Sequence, residues 1–204
     1  MLHKLVSRLL RRPVVYDESF FAEAWFAEWA TLQMVLAKII EVEPKWRKII
    51  DFGCGPGVMI DLMTDHGFDY IGCDYSAEAR SLYLEHYGKY PDCYLTNLDE
   101  AGQKNFDLLI AFDVLEHMHD AEIASFLGKI NLIPELLLNI SRTRGIPGHV
   151  NIKSDRAWIE YMKKQGYYFE ENRTSILRQV YSKLRPGSPD RWDRNLFLFS
   201  RVKL

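Results

Sequence analysis

Apolar positions change their period several times along the chain, and the changes divide it into elements. Over residues 17–42, Phe21, Trp25, Trp29, Leu32, Leu36 and Ile39 recur at three- and four-residue steps, the stripe of an amphipathic helix. Asp17 or Ser19 suits its start, and Pro44 closes it. From Ile49 onward, short apolar runs alternate with helical patterns. Strands are expected at 48–52, 69–73, 92–96, 106–112 and 134–140, with helices between them at 57–66, 77–88 and 120–130. Gly67 stops the first of these helices, and Gly88 with Pro91 stops the second. Such alternation implies a parallel sheet wound with right-handed crossovers. Open sheets of this kind bind ligands at the carboxyl ends of their strands.

After residue 140 the pattern changes. Arg142 to Gly148 is a loop with two glycines and a proline, followed by His149-Val150-Asn151-Ile152. Ser154 suits the N-cap of a helix through Gln165, with Asp155 favourable in the first turn. A strand over 167–170, a helix over 174–184, a turn-rich stretch at 185–190 and a final buried strand over 196–202 complete the reading. No repeat or linker interrupts it. We therefore expect one domain over 1–204, with 1–44 as a helical cap and 45–204 as the α/β core.

Composition narrows the partners. The chain has 204 residues, 48% of them hydrophobic and 26% charged, as in an ordinary globular protein. A formal net charge of −2 gives no electrostatic case for nucleic acid. No apolar run approaches the roughly 20 residues that span a bilayer, so no membrane partner is expected. Lys4, Arg8, Arg11 and Arg12 among leucines suggest a basic amphipathic helix or a frayed terminus, since the apolar part is too interrupted for a secretory leader. The three cysteines, Cys54, Cys73 and Cys93, lack C-x-x-C spacing, which favours a reducing, cytoplasmic setting. Nothing in the sequence indicates an oligomeric state.

The chemistry gathers at strand ends. Lys48 to Ile60 runs from a short buried strand ending on Asp51, through glycines at 53, 55 and 57, into a helix. Those glycines permit positive φ and let a ligand lie against the main chain, while the helix aims free N–H groups and its positive dipole end at the turn. A dinucleotide or an adenosyl amino acid fits such a place. A dinucleotide fingerprint needs G-x-G-x-x-G, and Val58 stands where its third glycine belongs. Asp51 also suits a cationic amino group better than a pyrophosphate, which points to S-adenosylmethionine. About twenty residues on, Asp74 ends the second strand, where a carboxylate can accept both ribose hydroxyls; it also suits a helix N-cap. Thr96-Asn97-Leu98-Asp99 follows the third strand. An amide or acid there suits the adenine amino group, with Leu98 against the ring, and an Asx turn is the competing reading. Phe106 to His117 is a buried strand ending in a polar cluster at the same sheet edge.

Together these pieces resemble the class I S-adenosylmethionine-dependent methyltransferases. Asp51-Phe52-Gly53-Cys54-Gly55-Pro56-Gly57 is similar to their first motif, Asp74 to their ribose-binding acid, and Phe106-Asp107 through Asp113-Val114-Leu115-Glu116-His117 to their segment around the fourth strand. The match is strong from about 45 to 120 and weak elsewhere. The resemblance implies a Rossmann-like α/β fold: a seven-stranded, mostly parallel sheet of order 3-2-1-4-5-7-6, its last strand antiparallel, with helices on both faces. It implies that Asp51, Gly53, Cys54, Gly55 and Gly57 hold the amino acid part of the cofactor and that Asp74 and Tyr75 lie at the ribose. Asn97 and Leu98 would lie at the adenine and Phe112 and Asp113 near the methionine end. Where many relatives carry an acid for adenine this chain has Asn97, with Asp99 two places later.

Methyl transfer from a sulfonium needs mainly proximity, alignment and exclusion of water; a base is needed only where the nucleophile must lose a proton. His149, at the expected substrate edge, and His117 are the catalytic candidates, with His119 a further histidine nearby. The expected acceptor is a small molecule methylated on O or N, and no metal belongs to this reading. A competing reading is metal-assisted 2′-O-methylation of RNA, with Glu116, His117 and His149 as ligands; against it, Asp113 stands where a glutamate belongs and a second later histidine is missing. A non-catalytic cofactor-binding protein is the remaining alternative.

Overall fold

The computed structural model describes residues 37–40, 43, 45–101, 105–184 and 192–201. Most of the helix expected over 17–42 lies outside these residues; its described part, 37–40, is helical and buries Ala37, Ile39 and Ile40. The turn-rich stretch at 185–190 also lies outside them.

Seven strands form one sheet: β1 (Lys48–Phe52), β2 (Asp69–Cys73), β3 (Tyr94–Leu95), β4 (Leu108–Phe112), β5 (Glu135–Asn139), β6 (Tyr167–Phe169) and β7 (Leu196–Arg201). Their order is β3-β2-β1-β4-β5-β7-β6. β1 pairs in parallel with β2 and β4, β4 with β5 and β2 with β3, whereas β7 runs antiparallel to both β5 and β6. Order and orientation are those the resemblance implies.

Beyond residue 45 the described helices are α1 (Val58–Asp65), α2 (Ala77–His86), α3 (Asp120–Lys129), α4 (Asp155–Lys164), α5 (Glu171–Leu184) and the single turn α6 (Trp192–Asn195). Alternation along each strand feeds two cores. Ile49, Tyr70, Leu108, Ile110, Leu137 and Leu198 pack with α1, α2 and α5 on one face. Ile50, Ile71, Leu109, Leu136, Leu138, Phe197 and Phe199 pack with α3 and α4 on the other. Because β4 and β5 are buried along their whole length, they read as continuous apolar runs rather than alternating ones. Each fully buried leucine, isoleucine or phenylalanine contributes about 1.5–3 kcal/mol relative to an exposed one.

Most element ends shift from expectation by one or two residues, and three elements are notable. β3 shrinks from 92–96 to two residues because Pro91, with no N–H to give a ladder, starts a 3-10 turn over Pro91–Cys93. β4 begins at Leu108 because Asp107 turns its carboxylate back to accept the Arg47 and Lys48 amides at 3.0 and 2.9 Å. α5 begins at Glu171 rather than 174.

At the amino end of β5 a charge knot closes the fold. Glu135 accepts from Lys45 Nζ and Trp46 Nε1 at 2.6 Å each, and from Arg173 NH1 and NH2 at 2.6 and 3.1 Å. Arg173 also meets Glu43 at 3.0 Å and lies over the Trp46 ring. Burial works to raise the Glu135 carboxyl, but the hydrogen bonds from Arg173, Lys45 and Trp46 outweigh it and hold it below the usual range.

Candidate active site at the carboxyl edge of the sheet

β1 delivers the chain to Gly53, Gly55 and Gly57, whose φ angles of 76°, 52° and 65° are left-handed. Space forbids a side chain at two of them. A Cβ on Gly53 would meet Val114 Cγ2 at 2.5 Å, and one on Gly57 would meet Ile60 Cδ1 and Tyr83 Cδ2 at 2.8 Å each. Gly57 caps α1 with no side-chain hydrogen bond. The peptides around Gly55 are clamped: its N–H donates to Asp74 Oδ2 at 2.9 Å, and its carbonyl accepts from Tyr94 Oη at 2.7 Å. Tyr94 in turn stacks on Tyr83, centroid to centroid 5.2 Å. Cys54 is fully buried beneath the turn, so only its backbone faces the edge.

Two carboxylates flank this turn. Asp51 is 1% exposed and accepts from Tyr70 Oη at 2.8 Å. Burial pushes its carboxyl up to about 7; the Tyr70 hydrogen bond opposes this and the charge of Asp74 adds to it. A buried acid poised near neutrality favours a cationic partner. Asp74 accepts from Ser76 N through Oδ1 at 2.9 Å and from Gly55 N through Oδ2. Burial raises it above the ordinary carboxylate range against the bonds from the Ser76, Gly55 and Tyr75 amides. Ser76, not Asp74, caps α2, accepting from Ala79 N at 3.0 Å. Tyr75 beside it is 76% exposed, an aromatic face at the sheet edge.

Beyond β3 the Asx turn is realised: Asn97 Oδ1 accepts from Asp99 N at 2.9 Å. Asp99 is held at 2.8 Å through both oxygens by Lys129 of α3, and Leu98 packs half-buried against the α3 side of the core.

At the end of β4, Phe112 is buried and Asp113 takes a positive φ of 55°, strained for a non-glycine residue and typical of functional edges. Leu115–His117 form a 3-10 turn, and α3 starts only at Asp120, so Glu116 and His117 do not open that helix. Glu116 is fully buried. Its Oε1 accepts from Ser141 N at 2.6 Å, and its backbone carbonyl accepts from Val150 N and Asn151 N at 2.9 and 3.0 Å. Burial, then the charge of Asp113, pushes its carboxyl well above the ordinary range. His117 and His149 meet edge to face, centroids 4.7 Å apart. Burial first, and His149 second, brings His117 down to about 4; burial also lowers His149, against its hydrogen bond to Thr143. His149 Nδ1 lies 3.0 Å from the Thr143 carbonyl, so this nitrogen carries the proton and Nε2 keeps its lone pair. His119 is exposed at the start of α3, its amide bonded to Glu122 at 2.6 Å.

The structure thus gathers Asp51, Gly53, Gly55, Gly57 and Asp74 in one place, and Glu116, His117 and His149 in another. The two are contiguous through Val114, which lies against Gly53. Asn97 and Leu98 stand at the β3 end of the same edge, with no contact to either group among those described. Sequence reasoning missed Tyr70, Tyr94 and Ser141. The first two carried a signal: tyrosines on neighbouring strands beside a glycine turn need a polar partner for a buried hydroxyl.

Sheet order and glycine turn together define the fold of class I methyltransferases. The magnesium protoporphyrin IX methyltransferase of Synechocystis PCC 6803, solved with bound S-adenosylmethionine, shares it at TM-score 0.59 and 14% identity, covering 90% of this chain and 94% of that one. The sugar N-methyltransferase KedS8 of Streptoalloteichus sp ATCC 53650 shares it at 0.60 and 14%, covering 94% of each chain. Residues 21–133, more than half of the chain, match the family model described as a methyltransferase domain, and the chain belongs to that family. A ubiquinone biosynthesis O-methyltransferase of Bradyrhizobium sp. (strain ORS 278) is 31% identical over 86 residues, 40% of this chain; the match spans 33% of the relative's length. Among the described residues no helix is long and apolar enough to cross a membrane.

Proposed function

We propose that the chain binds S-adenosylmethionine in the glycine turn and transfers its methyl group to a small-molecule acceptor on O or N, as a single-domain cytoplasmic enzyme. The observation that carries this reading is the pair of carboxylates, Asp51 and Asp74, on either side of the clamped Gly55 peptide. Asp51 and the Gly53–Gly57 backbone, Cys54 included, take the ammonium and carboxylate end, and Asp74 takes the ribose hydroxyls with Tyr75 beside them. Asn97 and Leu98 lie toward the adenine, and Asp99 is less suited because Lys129 already holds it. Phe112 and Asp113 border the methionine end. His149 is the better base of the two histidines, since its Nδ1 is anchored and its Nε2 is the basic atom. The relatives support the acceptor class by their names, a ubiquinone-pathway O-methyltransferase and a sugar N-methyltransferase.

Calorimetry with S-adenosylhomocysteine and with NAD tests the reading; micromolar binding of the first and none of the second is expected, and binding of NAD alone overturns it. Protonation supplies a second measurement. A ligand ammonium near Asp51 favours its carboxylate, so binding at pH 6, below the free value of about 7, should release up to one proton. Affinity for S-adenosylhomocysteine should therefore rise with pH through 6 and 7, by at most about tenfold per unit, and level off above. Titrations in buffers of different ionisation enthalpy read the released proton directly. Asp51→Asn should abolish the release.

A further inference from the structure

We infer that Tyr70 is a positioning residue for the cofactor: its hydroxyl holds Oδ2 of Asp51 and leaves Oδ1 to the ammonium group of the ligand. The coupling of Tyr70 to Asp51 stands on the fold alone; its use for the cofactor rests on the proposed function.

The placement follows from strand register. β1 and β2 run parallel, with Ile49 opposite Tyr70 and Asp51 opposite Gly72. Residues two apart on a strand share a face, so Tyr70 stands diagonal to Asp51 on the face that also holds Ile49. Gly72, directly opposite Asp51, has no side chain to offer, and a Cβ there would meet Ile60 Cδ1 at 2.6 Å and Cys54 Sγ at 2.8 Å. The phenol of Tyr70 instead reaches across and donates to Oδ2 at 2.8 Å. Among the described residues this is the only hydrogen bond to the Asp51 carboxylate.

The hydroxyl stays a donor. Burial, and then the charge of Asp51, push Tyr70 well above the ordinary tyrosine range, so its proton remains on oxygen. The other influences on Asp51 are burial and the charge of Asp74, and both disfavour its ionised form. Cys54 in the turn and Cys73 at the end of β2 are its remaining titratable neighbours, and burial keeps both thiols protonated. No lysine, arginine or histidine among the described residues acts on it. Tyr70 is thus the one described group that favours the carboxylate, and the cation that completes it arrives with the ligand. A hydrogen bond to an ionised oxygen is short and directional, so it also fixes the rotation of the carboxylate beforehand. When ligand binds to the protonated form, Asp51 gives its proton to solvent and Tyr70 keeps its own.

The test reads Asp51 directly, in the ligand-free full chain labelled with carbon-13 at its aspartate carboxyls. The Asp51 resonance is the one absent from Asp51→Asn. Its titration midpoint should move up by about one pH unit or more in Tyr70→Phe, with circular dichroism unchanged because the ring still fills the core. Calorimetry with S-adenosylhomocysteine should follow it. Affinity of Tyr70→Phe should fall about tenfold at pH 6 and return toward wild type by about pH 9. Tyr94→Phe, which releases the Gly55 carbonyl instead, should leave the midpoint in place.

An unmoved midpoint in folded Tyr70→Phe overturns the inference. So does a loss of affinity equal at every pH, or a shift in Tyr94→Phe as large as that in Tyr70→Phe. If Tyr70→Phe does not fold, fluorotyrosine incorporated throughout the wild-type chain takes its place. Its more acidic phenol is a stronger donor, so the Asp51 midpoint should move down; a midpoint that stays or rises overturns the inference. Wild-type chain that binds no S-adenosylhomocysteine at any pH, beside a midpoint that moves as expected, sinks the methyl-transfer reading and the cofactor role together. Intact binding beside an unmoved midpoint sinks the role of Tyr70 alone.

Discussion

Asp74→Ala should weaken S-adenosylhomocysteine binding at least about 100-fold, a loss of roughly 2.7 kcal/mol, without unfolding the protein. The side chain does two things at once. In the proposed function it offers acceptor oxygens to a ribose, and in the fold it holds Gly55 N and Ser76 N at 2.9 Å each. Alanine removes the first function and loosens the second, so ligand binding falls more than stability. Asp74→Asn is the informative control. An asparagine has one acceptor oxygen and must turn its NH2 toward either Gly55 N or Ser76 N, donor against donor. Its affinity should fall between wild type and alanine. Retained affinity in Asp74→Ala, measured by calorimetry, would remove Asp74 from the site.

The second large effect lies at the other end of the sheet. Glu135→Ala should cost about 3–5 kcal/mol of stability, because it leaves Arg173 and Lys45 facing one another around a vacated, largely buried position. For a chain of this size that is a drop of about 10 °C in unfolding midpoint. Lys45→Ala should change stability by about 0.5 kcal/mol or less, since Lys45 is mostly exposed and its pairing is screened by solvent. The pH dependence has a definite sign. The folded Glu135 value lies below the unfolded one, so its contribution is present above about 4.3 and is lost as pH falls through the folded value. Urea unfolding should show the gap between wild type and Glu135→Ala narrowing below pH 4. A constant gap would mean the knot acts through packing rather than charge.

What the sequence made legible follows from range. β1 and β2 match their expected bounds because each is a buried run closed by local signals, Lys48 and the glycine turn for one, Gly67 and Asp74 for the other. The glycine turn, Asp51 and Asp74 were legible for the same reason: strand, turn and acid are adjacent in sequence. The start of α5 was not. Glu171-Asn172-Arg173 shows no apolar period, and the partner that holds Arg173 is Glu135, 38 residues away. Thr174 stands inside the helix, where its hydroxyl accepts Leu198 N at 3.0 Å. The structural role of Glu116 was not legible either: in the fold it braces the 141–151 loop from 25 residues away, a contact no local pattern displays.

The place of β7 in the sheet has a consequence for how the molecule comes together. Among the described residues β6 bonds to no strand except β7, and β7 also seals the outer side of β5. During synthesis, residues 167–169 therefore wait without a ladder until 196–201 have left the ribosome. Until then the β5 edge, with Leu136 and Leu138 beside it, stays open to any extended segment that reaches it. The glycine turn belongs to strands whose partners have all been made by residue 139. The half that carries the glycine turn can thus assemble first, and the half that carries His149 and α4 to α6 is locked when β7 inserts.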